Sequence, residues 1–492
     1  MRQVSLNLQL RHKSDMVSRM RFSRPSVLAC ALAAAITTPV FAQVQVQTLA
    51  PPDLFSTPAG PTDLGLDLWT DTAPGIARDA LPKLAAKPLS PAFSALARRV
   101  LATGAHAPPG MGDAPDLGAA RAMALIALGE AAGADRILDR VPGLSTQAGL
   151  SMAAAEAALI QGDDDKACRL GEALTVERGA AYWLRLRAFC QFRAGQTEAA
   201  QLTFSLAQQQ TRDADYGRLM TALLAASPTP GAANLRNGIN YALSRALKLD
   251  IRAAAGTASP AVKPVVQMPP AAPGADLAAA ETSDLAFLRQ AKGLAAFVEA
   301  ARAASPSIAA LAQSGQALQD HVLLARAALA AGDAASARAL RAKVPADAVP
   351  VLDLALLDAM LAAEAGQADP ALLSRLATLG TDGGARSPAQ PATLLLAALG
   401  GKLDAETRGR VAGFEIARSA AAPARIVVLN AAAMAGRKGE TALMALSVAA
   451  EAGPVGPTAA DRAMLARALL AAGLVTDARA VVIEGLLALQ VK

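Results

Sequence analysis

Apolar positions recur along this chain at helical spacing. Phe93, Leu96, Val100 and Leu101 form one such stripe, and Ser90-Pro91 ahead of it supplies an N-cap residue and a proline at the first helical position. A last helix is expected from about Thr476 to Gln490, with Ile483, Leu486 and Leu487 docking on the helix before it. Between the stripes, a glycine is followed five residues later by an alanine: Gly129/Ala134, Gly162/Ala167, Gly195/Ala200, Gly332/Ala337, Gly366/Ala371, Gly400/Ala405 and Gly473/Ala478. The first three pairs are 33 residues apart and the next three 34. A period near 34 predicts an all-α fold, an α-solenoid of antiparallel helix hairpins. Each glycine would end one helix in the left-handed conformation.

The beat fades between Leu249 and Ala278, where Ser259-Pro260, Lys263-Pro264, Pro269-Pro270 and Pro273 preclude a long helix. Two lobes are expected, 73–250 and 279–492, joined by an ordered but irregular Pro-rich connection over 251–278. Residues 43–72, with Gln-Val repeats and prolines, read as an extended or disordered lead-in. After Gly400 the units lengthen, with Gly436 and Gly473 separated by 37 residues.

The best-formed unit runs from Tyr182 to about Gln210. Its first helix ends at Arg193, Ala194-Gly195 makes the turn, and a second helix starts at Thr197. With Gly195 at the turn, Ala188, Ala200, Phe204 and Ala207 fall on small or aromatic packing sites, and the unit resembles the tetratricopeptide repeat. It is a degenerate one, because Leu184 stands where that family has a Trp and Gln191 where it has a Tyr. The resemblance implies a surface that binds proteins rather than an enzyme. A second internal match supports repetition: Leu324-Ala325-Arg326-Ala327 and Leu465-Ala466-Arg467-Ala468 each lead, eight residues on, to Gly332 and Gly473.

Composition changes the picture at the N-terminus. Arg19, Arg21 and Arg24 precede an apolar stretch from Val27 to Val40, and Val40-Phe41-Ala42 fits a cleavage site. Residues 1–42 therefore read as a secretory signal peptide cleaved after Ala42, which places the mature protein in the periplasm or outside the cell. Translation starting at Met16 or Met20 would give that signal an ordinary length. Cys30 sits in a lipoprotein-like box, but the apolar stretch continues past it, so it is read as part of the signal. The segment holds six of the 47 basic residues and one of the 41 acidic ones, which leaves 41 and 40 and a net charge of +1. Such a chain has no electrostatic case for nucleic acid, and with 3% aromatics it is poorly supplied for base stacking. No transmembrane segment is expected in the mature chain.

Two cysteines survive cleavage. Helices expected over Asp163 to about Val176 and Ala180 to Arg193, with a turn near Gly179, place Cys168 and Cys190 opposite each other, and an exported chain would join them in a disulfide.

Few residues of this chain stand in a chemically suggestive context. His106 falls in a Pro/Gly loop and His321 on a helix, neither beside a nucleophile motif. Asp163-Asp164-Asp165 lacks the spacing of a calcium loop and reads as a helix cap. No catalytic, cofactor or metal residue is expected. The expectation is a non-enzymatic periplasmic scaffold or adaptor for another protein or peptide of the cell envelope. Tyr182, Trp183, Arg185 and Arg187 are its candidate contact residues, since aromatics and Arg are enriched at hot spots. The alternative is an accessory that binds or processes peptidoglycan, because the array is similar to the superhelical part of periplasmic lytic transglycosylases.

Overall fold

The computed structural model describes residues 53–227, 230–270, 272, 276–344 and 349–491; the signal peptide expected over 1–42, its expected cleavage site and Cys30 lie outside them. Twenty-four α-helices and no strand occur among the described residues. They are α1 Pro74–Ala86, α2 Pro91–Ala102, α3 Pro115–Ala127, α4 Ala131–Leu138, α5 Ala148–Gln161, α6 Asp164–Ala173, α7 Ala181–Arg193 and α8 Thr197–Gln210. Next come α9 Ala214–Leu224, α10 Gly238–Ala246, α11 Ile251–Ala254, α12 Lys263–Val266, α13 Leu277–Gln290, α14 Leu294–Gln313, α15 His321–Ala331 and α16 Ala334–Ala342. The chain ends with α17 Val351–Ala365, α18 Pro370–Asp382, α19 Ala389–Ala397, α20 Ala405–Ala412, α21 Pro423–Met434, α22 Lys438–Ala452, α23 Ala459–Ala471 and α24 Val475–Ala488.

The turn glycines have a common physical cause. All seven adopt positive φ, between 71° at Gly366 and 92° at Gly400. At Gly162 the amide of Gly162 donates to the Leu159 carbonyl, and that of Asp163 to the Ala158 carbonyl. This Schellman pair satisfies the last carbonyls of the helix. The same pair of bonds recurs at Gly129, Gly195, Gly332, Gly366 and Gly473, and also at Gly436. The partner alanines divide. Ala134, Ala167, Ala200, Ala337 and Ala478 are fully buried, but Ala371 and Ala405 are exposed. In the buried cases the next helix starts two residues after the glycine. After Gly366 and Gly400 it starts four and five residues later, with Asp369 and Asp404 as caps, so the alanine slides into the first turn. Conversely, Gly436 has a fully buried Thr441 at the alanine position, a unit that the Gly/Ala spacing does not reveal.

Sequential helices pack in order, but the row is not open-ended. Helix α10 returns to α5. Helix α1 packs on α22, and α2 packs on α22 and α24, so the first helices are covered by the last. Helix α24 touches α23, as expected, but also α2, α15, α17 and α19. Its sequence explains this: Val481, Val482, Leu486 and Leu487 are buried along with Asp477 and Glu484, leaving no wide polar face. One core runs from Phe55 to Leu487, and a second, smaller one holds Ala155 to Leu243 between α5 and α10. The cores thus divide within the expected N-terminal lobe rather than at the Pro-rich connection, which itself buries Val262.

The lead-in differs from expectation over 53–72. These residues form turns, with Phe55, Leu68 and Trp69 buried and the two rings edge to face at 5.5 Å. Large apolar anchors outweigh the prolines here. Arg121, fully buried on α3, fixes this segment by donating to the carbonyls of Leu54, Thr57, Leu101 and Thr103. Burial lowers its pKa to about 10, with some compensation from Asp53. Ser90 also departs from the expected role. It occupies the N-cap of α2, yet its hydroxyl donates to Glu484 Oε1 at 2.6 Å, and the Glu484 carboxylate itself accepts from the Ala92 amide.

Helix α14 is the one described helix long and apolar enough to cross a membrane by length and composition. It carries Glu299, Arg302 and Pro306, and it packs between α13 and α15.

Candidate functional site

The candidate contact residues lie on α7, where the sequence alternates bulky and basic side chains. Trp183 is buried, 4% exposed, with its ring edge to face with Tyr182 at 5.1 Å. Arg185 crosses to the next hairpin, pairing with Asp213 at 3.2 Å and lying over the Tyr216 ring at 5.5 Å. Arg187 turns the other way and donates to the Arg178 carbonyl. The four do not form one exposed patch. The structure brings Tyr182 and Arg185 to one cleft, seats Trp183 in the core and leaves Arg187 near the cysteines.

That cleft is lined by Met123 of α3, Met152 and Glu156 of α5, Tyr182 and Arg185 of α7, Asp213 and Tyr216 at α9, and Asn237, Ile239 and Asn240 at α10, and it encloses about 180 Å³. Its floor is set by Glu156. One carboxylate oxygen accepts from the Gly238 amide at 2.5 Å and the other from the Tyr182 hydroxyl at 3.2 Å. Glu156 thereby caps the start of α10 from another helix. Gly238 allows this approach: a Cβ there would come within 3.0 Å of the Glu156 carboxyl and of Leu159. Burial raises the Glu156 pKa against the opposing effect of these two hydrogen bonds, and burial beside Glu156 raises that of Tyr182 well above the phenol range. On α10, Asn240 donates to the Asn234 side chain at 3.2 Å, and the Asn237 side chain caps its own helix.

Sequence reading misses Glu156, Asn237 and Asn240. Glu156 leaves a trace, since it is the single acid in the otherwise apolar run Ala153 to Ile160. Nothing near Asn237 marks it beyond its capping chemistry.

Cys168 on α6 and Cys190 on α7 are paired as a disulfide with Cα atoms 5.6 Å apart. Asp163 caps α6 by accepting from the Lys166 amide. Asp164 receives Arg193 at 2.9 Å and Arg245 at 2.5 Å, and Asp165 receives Arg193 at 2.6 Å. Asp163 is thus taken up by the cap and Asp164 and Asp165 by cross-helix ion pairs, and no cluster of metal-ligating side chains occurs among the described residues. His106 is exposed in its loop, and His321 opens α15, far along the chain from any residue of the cleft.

No family model, no curated protein and no solved structure matches this chain.

Proposed function

We propose that this protein is an exported, non-enzymatic scaffold or adaptor that holds a peptide or another envelope protein in the cleft between α3, α5, α7, α9 and α10. The observation that carries this reading is the convergence of five helices on one cleft whose lining can adapt and pair. Met123 and Met152 are adaptable apolar surface, while Asn237, Asn240 and Tyr182 offer donors and acceptors. Its one buried acid is already held by two hydrogen bonds, which suits a positioning role rather than proton transfer to a substrate. The disulfide supports an oxidising compartment and hence export.

Degenerate tetratricopeptide-like packing is part of the same reading. Ala188, Ala200 and Ala207 are fully buried at the α7–α8 hairpin, and Phe204 packs on Tyr216 at 5.8 Å between ring centres. Small residues at these points let the helices approach closely. The test is affinity capture from a periplasmic extract with the full mature chain and with Met152→Glu, which places a charge in the cleft. The wild type should retain specific proteins that the variant loses. Identical recovery by both would contradict the proposal.

A further inference from the structure

Next to the cleft, and sharing Met123 and Glu156 with it, lies a second cavity of about 370 Å³. Its character differs. The wall is built from Leu84, Leu89, Met123, Ile126, Leu128 and Pro260, contributed by α1, α2's approach, α3 and the Pro-rich connection. Arg98 of α2 reaches into it, half-buried. Among the described residues no carboxylate lies within ion-pair distance of Arg98, whose hydrogen bond is a long one, 3.4 Å, to the Leu128 carbonyl. Burial lowers its pKa, Glu130 offsets part of this, and the positive charge of Arg302 on α14 adds to it.

The other groups around the cavity do not neutralise Arg98. Lys87 adds positive charge, and Arg236 pairs only loosely with Asp215, at 3.7 Å. Glu156 is occupied by Gly238 and Tyr182. The Ser259 hydroxyl is buried with no hydrogen-bond partner among the described residues, and the Ser94 hydroxyl donates to the Leu89 carbonyl at 3.3 Å. A partly buried guanidinium that feels Glu130 only from beyond ion-pair distance, beside the exposed Lys87 and Arg236 and an orphan hydroxyl, favours an anion.

We propose that this cavity binds the anionic headgroup of a single acyl chain, with the head at Arg98 and the chain along the Leu84, Ile126 and Leu128 wall. Charge complementarity selects the head. The wall selects the body: its side chains are apolar, Leu84 and Ile126 sit on the hydrogen-bonded backbone of α1 and α3, and the Leu128 amide is already bonded to the Ala124 and Leu125 carbonyls. A peptide segment would leave its own amides and carbonyls unmatched there. This ligand class is distinct from the peptide or protein of the neighbouring cleft, so either reading can fail without the other.

The experiment is titration calorimetry of the full mature chain with decanoate, decyl phosphate and decanol. The two anions separate a carboxylate from a phosphate head, and the alcohol removes the charge. Both anions, or one of them, should bind at least about ten-fold more tightly than decanol, the factor expected for one charge-assisted hydrogen bond. Arg98→Ala should abolish that margin while leaving decanol unchanged, and Arg98→Lys should keep part of it. Arg302→Ala changes an exposed side chain, so it keeps the test readable if Arg98→Ala fails to fold; it should weaken the anions several-fold and spare decanol. Equal binding of alcohol and anions, no binding of either anion, or anion affinity indifferent to both arginine variants would overturn the proposal. So would a leucine-terminated peptide that binds at this cavity where decanoate does not.

Discussion

At the residue scale, recurrent buried acids hold together segments far apart in sequence. Glu484 accepts from Ser90 and the Ala92 amide and from Arg462 at 2.5 Å, and Arg462 also donates to the carbonyls of Pro457 and Val455. Glu440 accepts from the Ala73 amide at the start of α1, and Asp461 from the amides of Ala420 and Ala421. Removing one partner of such a pair strands the other, so Glu484→Ala should destabilise by about 3–5 kcal/mol in urea titration. A paired Glu484→Leu, Arg462→Met replacement should cost clearly less than Glu484→Ala. Glu156 gives a pH test. Its pKa is raised by burial in the folded state, so between the unfolded value near 4.5 and the folded one the native state binds more protons. Its contribution is therefore complete at low pH and is lost as pH rises through the folded pKa. Glu156→Gln keeps an acceptor for the Gly238 amide and removes the titration. The melting temperature of the variant should gain on wild type as pH rises above the unfolded value near 4.5, with Tyr182, Arg185, Asp213 and Tyr216 as the charged or titratable neighbours in the cleft and Lys87, Arg98 and Arg236 in the adjoining cavity. A constant difference across that range would refute the assignment.

At the element scale, hairpins are the most legible feature of the sequence, because a Schellman turn demands a residue that tolerates positive φ. Gly332 has φ 88° with open space around its Cβ direction, so Gly332→Ala carries backbone strain alone and should cost about 1 kcal/mol. Gly179→Ala, also in open space and without positive φ, should be near neutral by the same thermal melt. What the spacing could not carry is register. Ala371 and Ala405 match the pattern in sequence but surface in the structure, because Asp369 and Asp404 delay the helix start. The acceptance of Thr at 441 shows that the position asks for small volume and a pairing route for any hydroxyl, here the Arg437 carbonyl. The disulfide was legible because it depends on two local helices and one turn. Cys168→Ser with Cys190→Ser should lower stability by about 3 kcal/mol for the 22-residue separation they close, and intact mass should rise by two daltons on reduction of the wild type.

At the scale of the whole molecule, the meeting of α1 and α2 with α22 and α24 was not legible. Its carriers are single residues, Glu440, Glu484 and Asp477, whose partners Ala73, Ser90 and Arg99 lie several hundred positions away. No local pattern announces such pairings. The closure also explains why the lead-in is built rather than loose: the Leu68 carbonyl accepts from the Gly439 amide, and Gly439 admits Trp69 where a Cβ would collide with its ring. The cleft was half legible, since Tyr182 and Arg185 stand out in sequence while Met123 joins them through the packing of α3 on α5 and Asn240 through the return of α10 onto α5. The functional account rests on that cleft as a protein-binding surface. Its most direct test is in-cell photo-crosslinking with the reactive residue placed at Met152 in the cleft or at Leu202, 66% exposed on the outer helix α8. Discrete protein adducts are expected from position 152 and none of the same mass from position 202. Adducts shared equally by both positions, or none from 152 in a folded and exported chain, would contradict a protein-binding role for the cleft.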